Sequence, residues 1–417
     1  MNEAGKAAAG ADLSTRYITL DALRGFAVMG ILAMNIVAFA MPEMAYINPN
    51  VYGDESQADI FSWILGFVLV DGKMRGLFSL LFGASMMLIV ERTQAKGESP
   101  ASTHFRRMGW LALFGLAHFF FIWFGDILFL YAAVGCVAYL FKDMEARSLI
   151  KIALIFYAIG FLLFTLFMGS IYLLAAAASG ANPDPEMAKQ YQELLAEFSG
   201  DAPGQVALYQ GGYLSIVGYK FKELFFYPFG AVIQNILETL PFMMIGMALL
   251  KNGFMTGMLD RPLYRKWATI GIVLGGAGYA ALAWLDWRSG FDPVLVMNVA
   301  LAWTMPFRLL MTIGYAAALV MLISAFSESG FIARVAATGR AAFTNYLGTS
   351  IVMTTIFYGY GLGLYGKVGR TELWLYVLGA WLVMLLWSKP WLVRFHYGPL
   401  EWLWRSLARW EIQPLRR

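Results

Sequence analysis

Residues 116–135, LAHFFFIWFGDILFLYAAVG, decide the fold. The stretch is apolar enough to lie in lipid, and Gly125-Asp126 divides it. Two apolar runs around such a turn predict two membrane helices that reverse at their outer ends. The stretch also keeps two ionisable groups, His118 and Asp126. An ionisable side chain inside a membrane is costly and marks a candidate site; the alternative is a satisfied polar group that holds helices together. Histidine titrates near neutrality and can take up and return a proton. Asp126 is placed to cap the helix that follows. Their spacing amounts to about 12 Å along and about 80° around an ideal helix, which argues against a direct pair within one straight helix.

The rest of the chain extends this pattern. Its 417 residues are 59% hydrophobic and only 14% charged, against about 25% charged in soluble domains. The composition is that of a membrane protein. The single cysteine, Cys136, excludes an intramolecular disulfide and thiolate metal clusters, and three histidines argue against a multi-histidine zinc site. A net charge of +4 fits a basic cytoplasmic excess and not a nucleic-acid surface.

Apolar runs long enough to cross a bilayer predict an all-α polytopic bundle of about ten spans. They lie near 20–40, 74–91, 108–124, 127–141, 149–178, 228–250, 267–285, 294–325, 341–360 and 373–388. The first run is longer than a signal-peptide core and reads as a retained span. Lys and Arg concentrate in alternate loops and in the C-terminal tail, while 41–59 has neither and 179–227 is largely acidic. The positive-inside rule then puts both termini in the cytoplasm of a bacterial inner membrane. The expected organisation is a cytoplasmic tail (1–17), an N-terminal transmembrane half (18–178), an extracytoplasmic cap (179–227) and a C-terminal transmembrane half (228–417). Residues 60–70 are too short to cross and read as a re-entrant or interfacial helix, followed by a charged turn at the outer end of the second span. The tail YGPLEWLWRSLARW (397–410) reads as an interfacial helix.

Other polar residues sit inside these runs. Asp71, Lys73 and Arg75 would stand at the mouth of an outer cavity, where the two cations are candidates for an anionic group. Glu238 and Arg308 each lie mid-span near a proline (Pro241, Pro306) and are expected to pair, for structure or for substrate. Asn35 and Asn345 are intramembrane amides, substrate contacts or helix glue. Asp21 and Arg24 are one turn apart at the inner boundary, and Arg106 and Arg107 are basic residues of the next inner segment.

The motifs LDALRGFAVMGILAMN, GKMRGLFSLLFGAS, GLAHFFFIWFGDILFLYA, GRAAFTNYLGTSIVMTTIFYGYGLGLYG and YGPLEWLWR together resemble the YeiB-like family of bacterial inner-membrane proteins, which carries the DUF418 domain in its C-terminal half. The N-terminal half is distantly similar to the transmembrane acyltransferase superfamily. That resemblance implies transfer of an acyl group from cytosolic acyl-CoA to a small-molecule, glycan or lipid acceptor on the other side. Catalysis would fall to His118 and Asp126, coenzyme contacts to Arg24, Arg106 and Arg107, and no metal is implied. Sugar-modifying members carry an Arg or Lys followed, after ten residues, by His. Here Arg24 is followed at that spacing by Asn35, and a neutral amide cannot act as the base. His118 is then the candidate base. The competing expectations are a small-solute transporter, favoured by proline-broken helices and buried charges, and a non-catalytic membrane partner. Membrane lipids are the expected surroundings.

Overall fold

A chain segment in hydrocarbon must satisfy its own backbone, so apolar runs of this length fold as helices. The computed structural model describes residues 3–53, 56–180 and 184–417, with side chains from residue 18 on. The backbone of the 1–17 tail is already helical from Glu3, and its side chains lie outside the described residues. In chain order the helices are α1 (Glu3–Ala40), α2 (Met44–Ile47), α3 (Gln57–Leu69), α4 (Lys73–Ala95), α5 (Pro100–Phe121), α6 (Leu128–Ala138), α7 (Ala146–Ala178), α8 (Pro185–Ser199) and α9 (Ala202–Tyr209). They continue as α10 (Tyr213–Glu223), α11 (Tyr227–Lys251), α12 (Arg261–Arg288), α13 (Pro293–Asn298), α14 (Thr304–Ala325), α15 (Gly330–Arg340), α16 (Ala342–Phe357), α17 (Leu373–Arg394) and α18 (Pro399–Arg409).

Seven segments are long and apolar enough to cross a bilayer: Ile18–Ala40, Gln57–Ala95, Ala146–Ala178, Tyr227–Lys251, Arg261–Arg288, Pro293–Ala325 and Leu373–Arg394. The protein is a multi-pass membrane protein. The remaining expected spans fall on α5, the short α6 and α16. Large apolar side chains point outward from the bundle, among them Leu163, Leu166 and Leu173 on α7 and Leu375, Leu382 and Val383 on α17. Patches of that kind are stable only against lipid or another protein.

The bundle has two distinct ends. At one, α8, α9, α10 and the 358–372 loop form a cap, tied down by Gly359 N–H to Tyr209 O (2.8 Å) and Gly366 N–H to Ala40 O (2.8 Å). At the other, the amphipathic α18 lies across α5 and α16. There Glu401 accepts from the Phe343 and Thr344 amides at 2.6 and 3.1 Å, capping α16 from a distant part of the chain.

The charged turn after α3 is not at the outer end of a span. Met74 packs on Gly30, midway along Ile18–Ala40, and Gly72 packs on Arg308, midway along Pro293–Ala325. Helices α3 and α4 are therefore one helix broken inside the bundle. Gly72 makes the break with φ +70°, a value that glycine adopts without penalty. A second irregularity faces it. Residues Val299–Trp303 widen into a π-helical turn just ahead of α14, a feature frequent at functional sites.

Candidate functional site

The broken helix and the π turn bring charges together. Arg75 donates to both Glu238 oxygens at 3.0 and 3.1 Å and to Asn235 Oδ1 at 3.3 Å. Arg308 donates to Glu238 Oε2 at 2.7 Å, and its other nitrogens reach Thr304 Oγ1 (2.8 Å), Ala300 O (3.0 Å) and the Tyr279 hydroxyl (3.4 Å). The π turn supplies the Ala300 carbonyl. Glu238 thus lies between two guanidiniums, and a carboxylate at this depth is tolerable only because both hold it. The Tyr46 hydroxyl hydrogen-bonds Asp71.

Lys73 is placed otherwise than at a cavity mouth. It is fully buried, its Nζ donates to Phe67 O at 2.5 Å, and it lies 3.3 Å from the Tyr279 ring centre. That is a cation–π seat inside the helix break. The cluster thus holds Lys73, Arg75 and Arg308 together with Asp71 and Glu238. Arg75, with 27% of its side chain exposed, is its open face.

Tyr46, Asp71, Arg75, Glu238 and Arg308 line a cavity of about 380 Å³ at the capped end, the outer cavity in the orientation the loop charges predict, together with Asn35, Asp126, Asp286 and Arg370. A second cavity of about 430 Å³ opens near α18 at the other end. Its wall carries Arg24, Arg92, Arg107, Arg340 and Arg405 but only two carboxylates, Asp21 and Glu401. Asp21 is taken up by Arg24 at 2.7 Å, and Glu401 by the α16 cap. Trp404 and Tyr397 underlie Arg107 and Arg405 with guanidinium-to-ring distances of 4.1 and 4.3 Å. Rigid, stacked guanidiniums in excess over carboxylates are an anion-binding arrangement.

Between the cavities lies the turn from α5 to α6. Ile127 faces both. His118 and Asp126 do not share one straight helix, in which they would be too far apart to pair: α5 ends at Phe121 and the chain folds back. His118 Nδ1 meets Asp126 Oδ1 at 2.8 Å. Asp126 Oδ2 accepts the Phe129 amide at 2.8 Å, so the same carboxylate caps α6. Gly115 permits this approach: a Cβ there would come within 2.3 Å of Phe129 N. Both side chains are sealed, at 0% and 2% exposure. With Nδ1 as donor to a carboxylate, Nε2 keeps its lone pair, and no protein group satisfies it. An oriented imidazole with a free basic nitrogen is the working part of a general base.

Four candidates stand apart from the cavities. His118 lines neither, although its partner Asp126 lines the capped one. Asn345 holds helices together, bonded to Thr338 O (3.0 Å), Ser388 Oγ (3.3 Å) and Trp387 Nε1 (2.9 Å), and lines neither large cavity. Arg106 is exposed and bonds only its own helix, at Ser102 O. Lys73 is enclosed as described. Conversely, Asp286, Tyr46 and the α18 wall escaped sequence reading. Asp286 was detectable: it follows directly on the apolar run 267–285 and belongs to its helix.

The chain matches the model of a family described as "Protein of unknown function (DUF418)" over residues 249–411, from the end of α11 through α18. It is 31% identical over 399 residues to "Uncharacterized protein YeiB" of Escherichia coli (strain K12), covering 94% of this chain and 96% of that one. It is also 31% identical over 419 residues to "Uncharacterized protein YxaH" of Bacillus subtilis (strain 168), with 96% of each chain covered. This chain belongs to the YeiB-like DUF418 family. No solved structure matches it. The family match takes in Arg308, Arg340 and the α18 wall, whereas the His118–Asp126 pair lies outside it.

Proposed function

We propose that this DUF418 protein is a membrane acyltransferase that passes an acyl group from cytosolic acyl-CoA to an acceptor held in the capped cavity. In this reading ten helices span the inner membrane and the arginine-lined end faces the cytoplasm. The observation that carries it is the His118–Asp126 pair, of which Asp126 lines the polar cavity beside Ile127, the residue that faces both that cavity and the arginine-rich one. The arginine wall suits the phosphates of coenzyme A, with Arg24 and Arg107 stationed there. His118 Nε2 takes the proton of the acceptor hydroxyl or amine as that atom attacks the thioester carbonyl. The C–S bond breaks, and His118 returns the proton to the leaving thiolate. Asp126 holds the imidazole in place and steadies its charged form.

A transporter is the second reading. It is favoured by two cavities back to back across a thin partition, beside a broken helix and a buried Arg–Glu–Arg cluster.

The deciding assay is thiol release from a panel of acyl-CoAs by protein in nanodiscs, on a Cys136→Ser background. Turnover lost by at least a hundredfold in His118→Gln, with unchanged thermal stability, is the expected result. No thiol release with any chain length would sink acyl transfer, and solute uptake into proteoliposomes would then be measured.

A further inference from the structure

Asp286 lies in the last turn of α12, lines the outer cavity and is completely buried. Among the described residues, neither of its carboxylate oxygens has a hydrogen-bond partner. Three costs coincide there: a desolvated carboxylate, no donor to offset it, and the negative end of a long helix. The protein's own cations are committed elsewhere. Lys73 sits on Tyr279, and Arg75 and Arg308 hold Glu238. The helix end is nevertheless fixed with care. Phe291 takes φ +59°, its amide bonds Asp286 O at 2.8 Å, and Asn48 and Asn50 clamp the Phe291 and Gly290 carbonyls at 2.9 and 2.8 Å.

An aromatic cluster packs on the same end of α12 and shares the cavity wall with Asp286. Leu282 and Ala283, one turn before Asp286 on the same face, pack in one cluster with Trp63, Phe67 and Phe291. Trp63 and Phe67 stack at 5.0 Å, Phe291 meets Trp63 edge-on at 5.3 Å, and both Trp63 and Phe67 face the cavity. A buried carboxylate, a helix C-terminus and aromatic faces all attract one kind of group.

We propose that Asp286, with Trp63 and Phe67, forms a binding subsite for an organic ammonium group in the outer cavity. The subsite requires no acyl transfer, and its test uses no acyl-CoA.

The test is calorimetric titration of the full chain with ethanolamine and with tetramethylammonium, in detergent. Phosphatidylethanolamine in nanodiscs is a third arm. Saturable binding of a free cation, weakened at least tenfold by Asp286→Asn, is the expected result. Trp63→Leu should weaken tetramethylammonium more than ethanolamine. Binding confined to the lipid arm and lost in Asp286→Asn supports the subsite and makes a headgroup its occupant. Thermal melting of the unliganded protein gives an independent readout: Asp286→Asn should raise Tm and abolish the ligand-induced shift. Unchanged affinity in Asp286→Asn, no binding in any arm, or a lowered Tm in the unliganded variant overturns the proposal.

Discussion

Lys220, in α10 of the cap, is fully buried and its ammonium nitrogen has no hydrogen-bond partner among the described residues. Burial lowers its pKa to about 7. The unfolded chain holds this proton up to the ordinary lysine value near 10.4, so between about 7 and 10.4 the unfolded state binds more protons. Stability therefore rises with pH across that window and is lowest below it. At neutral pH the buried amine costs on the order of a few kcal/mol. Lys220→Met should raise Tm by several degrees at pH 7 and by little at pH 10, measured by thermal melting in detergent. A variant destabilised at both pH values would show that Lys220 has a partner. At this scale the sequence was half legible. The cost of ionisable groups in lipid marked His118, Asp126, Glu238 and Arg308. Which of them meet depends on where a helix stops. The His118–Asp126 contact exists because α5 gives out at Phe121 and Gly115 lets α6 close in; the reversal at Gly125-Asp126 was readable, but not how closely the two helices then approach.

Among the elements, the broken helix α3–α4 organises the site. Its shortness was readable from 60–70, since so few apolar residues cannot cross. Its depth was not, because depth is fixed by contacts with Gly30 and Arg308, far away in the chain. The break predicts a sharp contrast between two glycines. A Cβ on Gly72 would lie 2.4 Å from Arg308 Nε, whereas one on Gly66 meets nothing within 4 Å. Gly72 is also left-handed, at φ +70°. Gly72→Ala should cost roughly 3–5 kcal/mol, from backbone strain and from displacing a buried guanidinium off Glu238. Gly66→Ala should be neutral or stabilising, because alanine suits a helix interior better. Comparison of their melting temperatures decides the point. Equal, small effects would mean that Gly72 does not rest on Arg308.

For the whole molecule the central fact is polarity. One end carries a cap and a mixed-charge cavity; the other carries stacked arginines beneath an amphipathic helix. Alternating loop charge made the bundle and its two ends legible before any coordinates. An outer cavity was expected from the polar residues, but the walls of the two cavities were not readable, because one joins α1, α3 and α4 to α11, α12 and α14 and the other joins α1, α4 and α5 to α16 and α18. The positive-inside rule predicts the sidedness, which is open to direct test. On a Cys136→Ser background, Glu193→Cys reports the cap, where its side chain is 67% exposed, and Asp143→Cys reports the arginine end, where it is 76% exposed. In intact cells a membrane-impermeant maleimide should label position 193, with position 143 reacting only after permeabilisation. Labelling of both from one side would mean that the ends do not face opposite compartments, and neither transfer nor transport across the partition would survive. The inverse pattern would keep a two-sided protein but turn the arginine cavity away from cytosolic acyl-CoA, leaving transport as the reading to pursue.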